Sequence, residues 1–281
     1  MNYKKIKRKT IDNCNICGKL SKLTWDHVPP KALLEKPNVY VNTIGQQLPS
    51  ESKYIKHYQS GIKYRTICEE CNNVRVGIND IELKKFKEEV KSNLDVLNEA
   101  NKLGIITDQT FAINIKINRV LRAVCGHFLA MKSQFDEKVI IDKDMRTFLM
   151  DETKKIQGVH VYSWIYPYST IVNLRDAAVK GRLEKTHPQG MVSVMSVYPL
   201  AFLISSQDEM NCCLDDLSAY STENIDDEVS ILLHLNTMMC SGTQMFKPLN
   251  WPFDFQNDET GILFAIGNNE MMHESRLGIT R

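Results

Sequence analysis

Apolar residues in the middle of the first half of the chain recur at helical spacing. Residues 81–103 place apolar side chains near a 3.6-residue period, which predicts an amphipathic helix. Asn79 or Asp80 can cap its start, and Gly104 is a suitable stop. The same periodicity predicts two further helices, at residues 111–133 and 143–156.

The second half of the chain carries strand patterns instead. Runs of β-branched and aromatic residues, bounded by Pro, Gly, Asn or Asp, predict a series of short strands. They cover residues 159–166, 169–174, 191–197, 200–204, 229–235 and 262–266. Because helices are followed by consecutive strands, the pattern predicts an α+β fold with a mostly antiparallel sheet.

The segment near the N-terminus shows neither pattern for long. Residues 12–77 are rich in Pro, Asn, Ser and Cys, as expected of a small unit that needs a bound metal, because packing alone would not stabilise it. The predicted organisation is a basic arm at residues 1–10, a metal-stapled module at 11–80, a linking helix at 81–104 and an α+β domain at 105–281. We expect the last domain to serve recognition, oligomerisation or regulation.

Charge is distributed unevenly along the 281 residues. The whole chain carries a formal net charge of +1, but residues 1–75 contain 14 Lys and Arg against 6 Asp and Glu. This basic front and the acidic remainder predict two modules, the first with an anionic partner. No stretch reaches the roughly 18 apolar residues of a membrane helix, and no apolar segment follows the basic N-terminus. We therefore expect a soluble, cytoplasmic protein with no membrane partner.

Two Cys-x-x-Cys pairs supply the candidate metal ligands. Cys14 and Cys17 form the first pair and Cys68 and Cys71 form the second, with 50 residues between the pairs. Four thiolates can surround Zn²⁺ tetrahedrally and close its coordination sphere, as in structural sites. A redox role for a single pair is the alternative, but two pairs in one basic segment favour zinc. The spacing exceeds that of a short zinc ribbon, so other structure is inserted between the pairs.

The insert opens with a second motif. Residues 24–31 are Thr-Trp-Asp-His-Val-Pro-Pro-Lys, and residues 72–75, directly after the second cysteine pair, are Asn-Asn-Val-Arg. Together with the cysteine pairs, these motifs resemble the HNH endonuclease family, the zinc-bound branch of the ββα-metal nucleases. The resemblance covers residues 14–75, about a quarter of the chain. It implies a treble-clef-like ββα-metal module at the N-terminal end, followed by the helical linker and the mixed α+β domain.

The resemblance also implies roles for individual residues. His27 would be the general base that activates water, and Asp26 with Asn72 would bind a catalytic Mg²⁺ or Mn²⁺ ion. Asn73 is an alternative to Asn72. The zinc at the four cysteines would be structural and separate from the catalytic ion. The family's middle Asn has no clear match, and the nearest residues are Asn38 and Asn42.

The resemblance implies a nucleic-acid substrate. Lys31, Arg65 and Arg75 would contact phosphate, although each is about as well explained as a solvated charge. DNA is the favoured substrate because the resemblance implies it, and RNA is the alternative. A role in phage defence or in a mobile element is expected by analogy alone. We expect the C-terminal domain to bind a second copy of the chain or a partner protein.

Structural explanations compete with several of these assignments. His27 could be a structural imidazole or a zinc ligand, and Asp26 could be a turn or helix-cap residue. His127 lies in a helical run and is interpreted as a core histidine rather than a ligand.

Two other classes of function stay open. One is a non-catalytic zinc-knuckle module that binds nucleic acid or protein, and the other is a chain whose C-terminal domain acts on a zinc-bound scaffold.

Overall fold

The computed structural model describes residues 8–34, 38–43, 56–59, 62–103, 110–166, 170–179, 190–206, 214–234 and 271–274. The longer helices in this part of the chain are α1 (Asp80–Lys102), α2 (Ile117–Met131) and α3 (Ile140–Met150). A short π-helix covers Cys71–Val76, and 3-10 turns cover Lys31–Leu33 and Leu217–Tyr220. The strands are β1 (Ile11–Asn13), β2 (Leu20–His27), β3 (Asn38–Thr43), β4 (Lys56–Gln59), β5 (Lys63–Cys68), β6 (Thr110–Ile115), β7 (His160–Ile165), β8 (Thr170–Val179), β9 (Gly190–Val197), β10 (Leu200–Ser205), β11 (Asp215–Asp216), β12 (Val229–His234) and β13 (Met271–Glu274).

The strands form three sheets, and every pairing between described strands is antiparallel. A three-stranded sheet has the order β1-β2-β5, and a two-stranded sheet pairs β12 with β6. An eight-stranded sheet has the order β11-β7-β10-β9-β8-β13-β3-β4. The predicted α+β class with mostly antiparallel sheets is confirmed. Strands β3 and β4 come from the insert between the cysteine pairs, and they lengthen the large sheet through β13.

The predicted helices are confirmed in part. Helix α1 matches the prediction for residues 81–103, whereas Gly104 lies outside the described residues. The predicted start of the second helix, at residue 111, is wrong. Thr110–Ile115 is instead the strand β6, which pairs with β12, and its last four side chains alternate between exposed and buried. The third helix ends earlier than predicted, at Met150. The buried Arg122 guanidinium donates hydrogen bonds to the carbonyl oxygens of Phe148 and Asp151 at that end.

The predicted strands agree better with the structure. Five of the six correspond to β7, β8, β9, β10 and β12. Their ends agree to within one residue, except that β8 continues past the predicted end at 174 to Val179. The sixth, at residues 262–266, lies outside the described residues. Among the helices that the structure describes, none has the length and apolarity needed to cross a membrane. The cytoplasmic location stays a prediction.

Helix α2 lies at the centre of the molecule. Every residue of α2 except Arg119 is buried, as expected of a helix with apolar residues on all faces. Its last carbonyl groups accept hydrogen bonds from the N-terminal module: Asn15 donates to Leu129 at 3.0 Å, and Thr66 donates to Ala130 at 2.6 Å. One hydrophobic core therefore includes residues from both sides of position 104. The domain boundaries proposed from the sequence stay a prediction.

Gly126 allows α2 to approach the Cys71–Val76 helix closely. A Cβ atom at position 126 would lie 2.5 Å from a methyl carbon of Val76, so no larger residue fits there without movement. Val76 belongs to the hydrophobic core, and Gly126 is buried on the face of α2 that meets it. The tight contact fixes the distance between these two helices.

We expect Gly126→Ala to lower the free energy of unfolding by about 1–3 kcal/mol, because the added methyl group overpacks the core. Val76→Ala removes the opposing methyl groups, so the double variant should lose less stability than the two single variants together, by about 0.5–3 kcal/mol. Denaturant titration of the metal-loaded chain measures both effects. Strictly additive losses would show that these two residues do not limit the helix separation.

Candidate functional site

The four cysteines converge at one end of the small sheet. Cys14 and Cys17 lie in the turn between β1 and β2, Cys68 ends β5, and Cys71 begins the π-helix. Their sulfur atoms all lie within 4.8 Å of one another. The backbone N–H groups of Ile16 and Cys68 donate to Cys14 Sγ at 3.4 and 3.3 Å. The cluster could hold a metal ion such as zinc, and it is the only group of three or more His, Cys, Asp or Glu ligands that close together among the described residues.

The thiols influence one another strongly. Hydrogen bonding from the Cys71 thiol and then from backbone N–H groups lowers the pKa of Cys14 to about 5. Burial raises the pKa of Cys17 to about 11, and the neighbouring Cys14 and Cys68 add to this effect. The pKa of Cys71 is also raised, because its hydrogen bond to Cys14 favours the protonated form. Cys14 can thus ionise readily while Cys17 and Cys71 resist, so a bound cation is needed before those two become thiolates.

Strand β2 carries the Asp26-His27 pair predicted to be catalytic. It pairs with β5 so that Asp26 lies opposite Tyr64 and His27 opposite Lys63. The pairing begins at Leu23 and Cys68, next to the cysteine cluster. The cluster and the β2–β5 pairing therefore fix the position of the two predicted catalytic residues.

The π-helix brings Asn72 to the same strand. The Asn72 side-chain nitrogen Nδ2 donates to Thr24 Oγ1 at 3.1 Å and to the carbonyl oxygen of Trp25 at 3.2 Å. Trp25 directly precedes Asp26, so the structure joins motifs that are 46 positions apart. Both hydrogen bonds use the amide nitrogen, and neither uses the oxygen Oδ1 that a divalent ion would bind. Asn73, the alternative ligand, is exposed.

His127 contacts Asp26, which the sequence interpretation missed. The ring is fully buried, as expected of a core histidine, but its Nδ1 lies 3.1 Å from Asp26 Oδ2 and its Nε2 lies 2.8 Å from Asp80 Oδ1. Burial alone would lower the pKa of His127, but the charges of Asp80 and Asp26 and their hydrogen bonds raise it to about 10. The ring is then an imidazolium that donates to both carboxylates. A buried polar residue on an apolar helix needs partners, and this was the signal available in the sequence.

His27 has the opposite electrostatic environment. Its side chain is half-buried, and its Nε2 is a buried atom with no hydrogen-bond partner in the described part of the chain. Burial, followed by the positive charges of Lys31 and Lys63, lowers the pKa of His27 to about 4. The ring is therefore neutral at pH 7, which is the form of imidazole that can accept a proton.

The residues predicted to contact phosphate lie in different surroundings. Lys31 is exposed at the start of its 3-10 turn. The Arg65 guanidinium lies 5.4 Å from the ring centre of Trp25 and donates to the backbone carbonyl of Arg8. Arg75 lies 3.7 Å from a Glu70 carboxylate oxygen. Lys31 is thus the most open of the three predicted residues, and Asn38 and Asn42 lie in β3, whose side chains are outside the described atoms.

Two further side chains hold the loop that follows β2. Asn173 of β8 donates from Nδ2 to the carbonyl oxygen of Val28 at 2.6 Å. Lys87 of α1 donates from Nζ to the carbonyl oxygen of Leu33 at 2.8 Å. Both residues are buried, and neither belongs to a motif that a sequence pattern could identify. The loop after His27 is therefore fixed by elements that lie outside the segment of the motifs.

We expect the wild-type chain to bind about one zinc ion and Cys68→Ser to bind much less. The variant should also have a lower melting temperature, because a hydroxyl is a poor substitute for a thiolate ligand. Mass spectrometric metal analysis and thermal unfolding measure the two effects. Cys125→Ser is the matched control, since Cys125 is also buried but lies outside the cluster. Equal zinc content in both variants would contradict the four-cysteine site.

Comparisons with protein-family models, with curated proteins and with solved structures give no significant match for this chain.

Proposed function

We propose that this chain is a metal-dependent endonuclease of the HNH type that hydrolyses phosphodiester bonds in DNA. In this proposal, β2, β5 and the helix that begins at Cys71 form the ββα-metal module, and zinc at the four cysteines is structural. The order of these elements and the shared cysteine cluster support it. The observation that supports it best is the hydrogen bond from Asn72 to the carbonyl oxygen of Trp25, directly before Asp26 and His27.

His27 is the proposed general base. A neutral imidazole can take the proton of an attacking water, and the pKa of His27, lowered to about 4, keeps the ring neutral at pH 7. An anionic phosphate beside Lys31 and Lys63 would offset their repulsion of the imidazolium, so the base would become stronger when substrate is bound. Lys31 and Lys63 would therefore serve both substrate binding and proton transfer.

Asp26 and Asn72 are the proposed ligands of a catalytic Mg²⁺ or Mn²⁺ ion. They fit this role because the His127 contact uses one Asp26 oxygen and the Asn72 contacts use only its nitrogen, so one oxygen of each remains for an ion. The unpartnered Nε2 of His27, in the next residue, is an atom that a bound water would satisfy. When bound, the ion would polarise the scissile phosphate as a Lewis acid.

The surface near Asp26 and His27 suits a nucleic acid. Lys31 and Lys63 are exposed and positively charged, and the Trp25 indole is 39% exposed beside Arg65. Cations can neutralise phosphates, and an exposed aromatic ring can stack on a base. DNA is preferred to RNA only because the family resemblance implies it. The role in phage defence or a mobile element stays a prediction by analogy. The binding of a partner or second copy by the C-terminal region also stays a prediction.

The decisive experiment is cleavage of plasmid DNA by the zinc-loaded chain with Mg²⁺ or Mn²⁺. We expect His27→Ala to reduce the cleavage rate at least about 100-fold, because the general base is lost. Zinc content and DNA affinity, measured by metal analysis and fluorescence anisotropy, should be unchanged, since the alanine removes neither thiolates nor cationic groups.

His234→Ala is the control. His234 is an exposed histidine on β12 that pairs with Asp215, and we expect this variant to cut DNA at the wild-type rate. If the wild-type chain binds DNA but cuts neither double-stranded nor single-stranded DNA nor RNA with either ion, the nuclease proposal is wrong. That result would support the non-catalytic nucleic-acid-binding module.

A further inference from the structure

Three buried side chains from outside residues 11–80 hold β2 and its following loop. They are His127 of α2, Lys87 of α1 and Asn173 of β8. The last two bind backbone carbonyl groups, so they fix the path of the chain. His127 is different because it contacts the side chain of Asp26, a proposed metal ligand.

The His127 contact is part of a chain of three ionisable groups. Asp26 accepts from Nδ1, and Asp80, the first residue of α1, accepts from Nε2. The ring lies between strand β2 and helix α1, and it cannot turn without losing both hydrogen bonds. Because the ring is 0% exposed and Asp26 is 7% exposed, the contact between them is shielded from solvent, whereas the Asp80 side chain is 22% exposed. The position of Asp26 Oδ2 is therefore tied to two helices.

Stability alone does not account for this arrangement. A buried ionic group is often no more stabilising than well-packed apolar residues of similar volume. The other residues around His127 on α2 are all buried, and Val124, Cys125 and Phe128 belong to the hydrophobic core. An apolar residue at position 127 would continue this pattern. Carboxylates that bind a metal ion, by contrast, are commonly held in place by hydrogen bonds from groups around the site.

We propose that His127 is a positioning residue that aims the Asp26 carboxylate at the divalent ion, and that Asp80 orients His127. This inference rests on the proposed function, because it assumes that Asp26 binds the ion. It makes the proposed active site composite: strand β2 supplies the ligand, and helix α2, from the region assigned to the C-terminal domain, sets its direction. Neither His127 nor Asp80 need touch the substrate.

The test compares two conservative substitutions of His127, one that can keep the hydrogen bond to Asp26 and one that can keep the hydrogen bond to Asp80. The amide of His127→Asn can place its nitrogen near the position of Nδ1, facing Asp26, whereas His127→Gln can place it near Nε2, facing Asp80. The full-length, zinc-loaded protein is titrated with Mn²⁺, and free Mn²⁺ is measured by electron paramagnetic resonance. This readout needs no DNA and no catalysis.

We expect His127→Phe to weaken Mn²⁺ binding about 10–100-fold. Asp80→Asn should weaken it by a smaller factor, since the amide oxygen still accepts a hydrogen bond. His127→Asn should bind Mn²⁺ more tightly than His127→Gln, because only the former retains the donor to Asp26. In the cleavage assay, variants that bind Mn²⁺ more weakly should need a higher Mn²⁺ concentration for half-maximal rate, while their KM for DNA is unchanged.

Asn118→Ala is the matched control for lost packing and hydrogen bonding on the same helix. Asn118 is fully buried near the start of α2 and donates to the carbonyl oxygen of Thr222 at 2.7 Å, away from Asp26. It should lower the melting temperature without changing Mn²⁺ affinity. Should His127→Phe fail to fold, the Asn, Gln and Asp80→Asn variants carry the comparison.

Wild-type Mn²⁺ affinity in Asp80→Asn and in all folded His127 variants would overturn the positioning role, and so would equal affinity in His127→Asn and His127→Gln. Absence of cleavage by a wild-type chain that binds Mn²⁺ through Asp26 would overturn the nuclease proposal instead, because the role of His127 is judged on affinity alone. Absence of any Mn²⁺ binding by the wild type would overturn both.

Discussion

The four cysteine side chains set the constraint on which the candidate site depends. Two short segments separated by 50 residues meet at the cysteine cluster, where the pairing of β2 with β5 begins. Closing so long a loop costs conformational entropy, and a bound ion can offset that cost because it binds only when all four ligands are present. The cysteine cluster also places the helix that begins at Cys71 beside β2, so that Asn72 donates to the carbonyl oxygen of Trp25, the residue before Asp26. One cluster thus determines the geometry of a second, chemically different group of residues.

Helix α2 extends this dependence to the rest of the chain. It is buried on nearly every side, its last carbonyl groups accept hydrogen bonds from Asn15 and Thr66, and its His127 holds Asp26. His127 and Thr66 lie in α2 and β5, whereas Asn15 lies buried in the turn between β1 and β2. Such support would suit the proposed metal-assisted chemistry, because small errors in ligand position weaken metal binding. The large sheet takes part through Asn173, which fixes the turn after His27.

The two histidines near Asp26 differ in charge because their neighbours differ. Lysines and burial keep His27 neutral, whereas two carboxylates keep His127 protonated despite its burial. The same side chain is therefore suited to accepting a proton at one position and to donating two fixed hydrogen bonds at the other. This division of roles depends on environment, and residue type alone would not reveal it.

The sequence by itself determined the features that depend on local spacing. The periodicity of apolar residues predicted α1, and runs of β-branched and aromatic residues predicted five described strands. The two Cys-x-x-Cys pairs predicted the four-thiol cluster. His27 could be chosen as the candidate general base because the motif that contains it, residues 24–31, is contiguous. The tertiary structure alone decided that Thr110–Ile115 is a strand and that His127 reaches Asp26, since both depend on partners about 100 residues away. Contacts of that kind arise when segments distant along the chain pack together. A histidine among apolar helix residues indicates that it needs polar partners, but only the tertiary structure identifies them as Asp26 and Asp80.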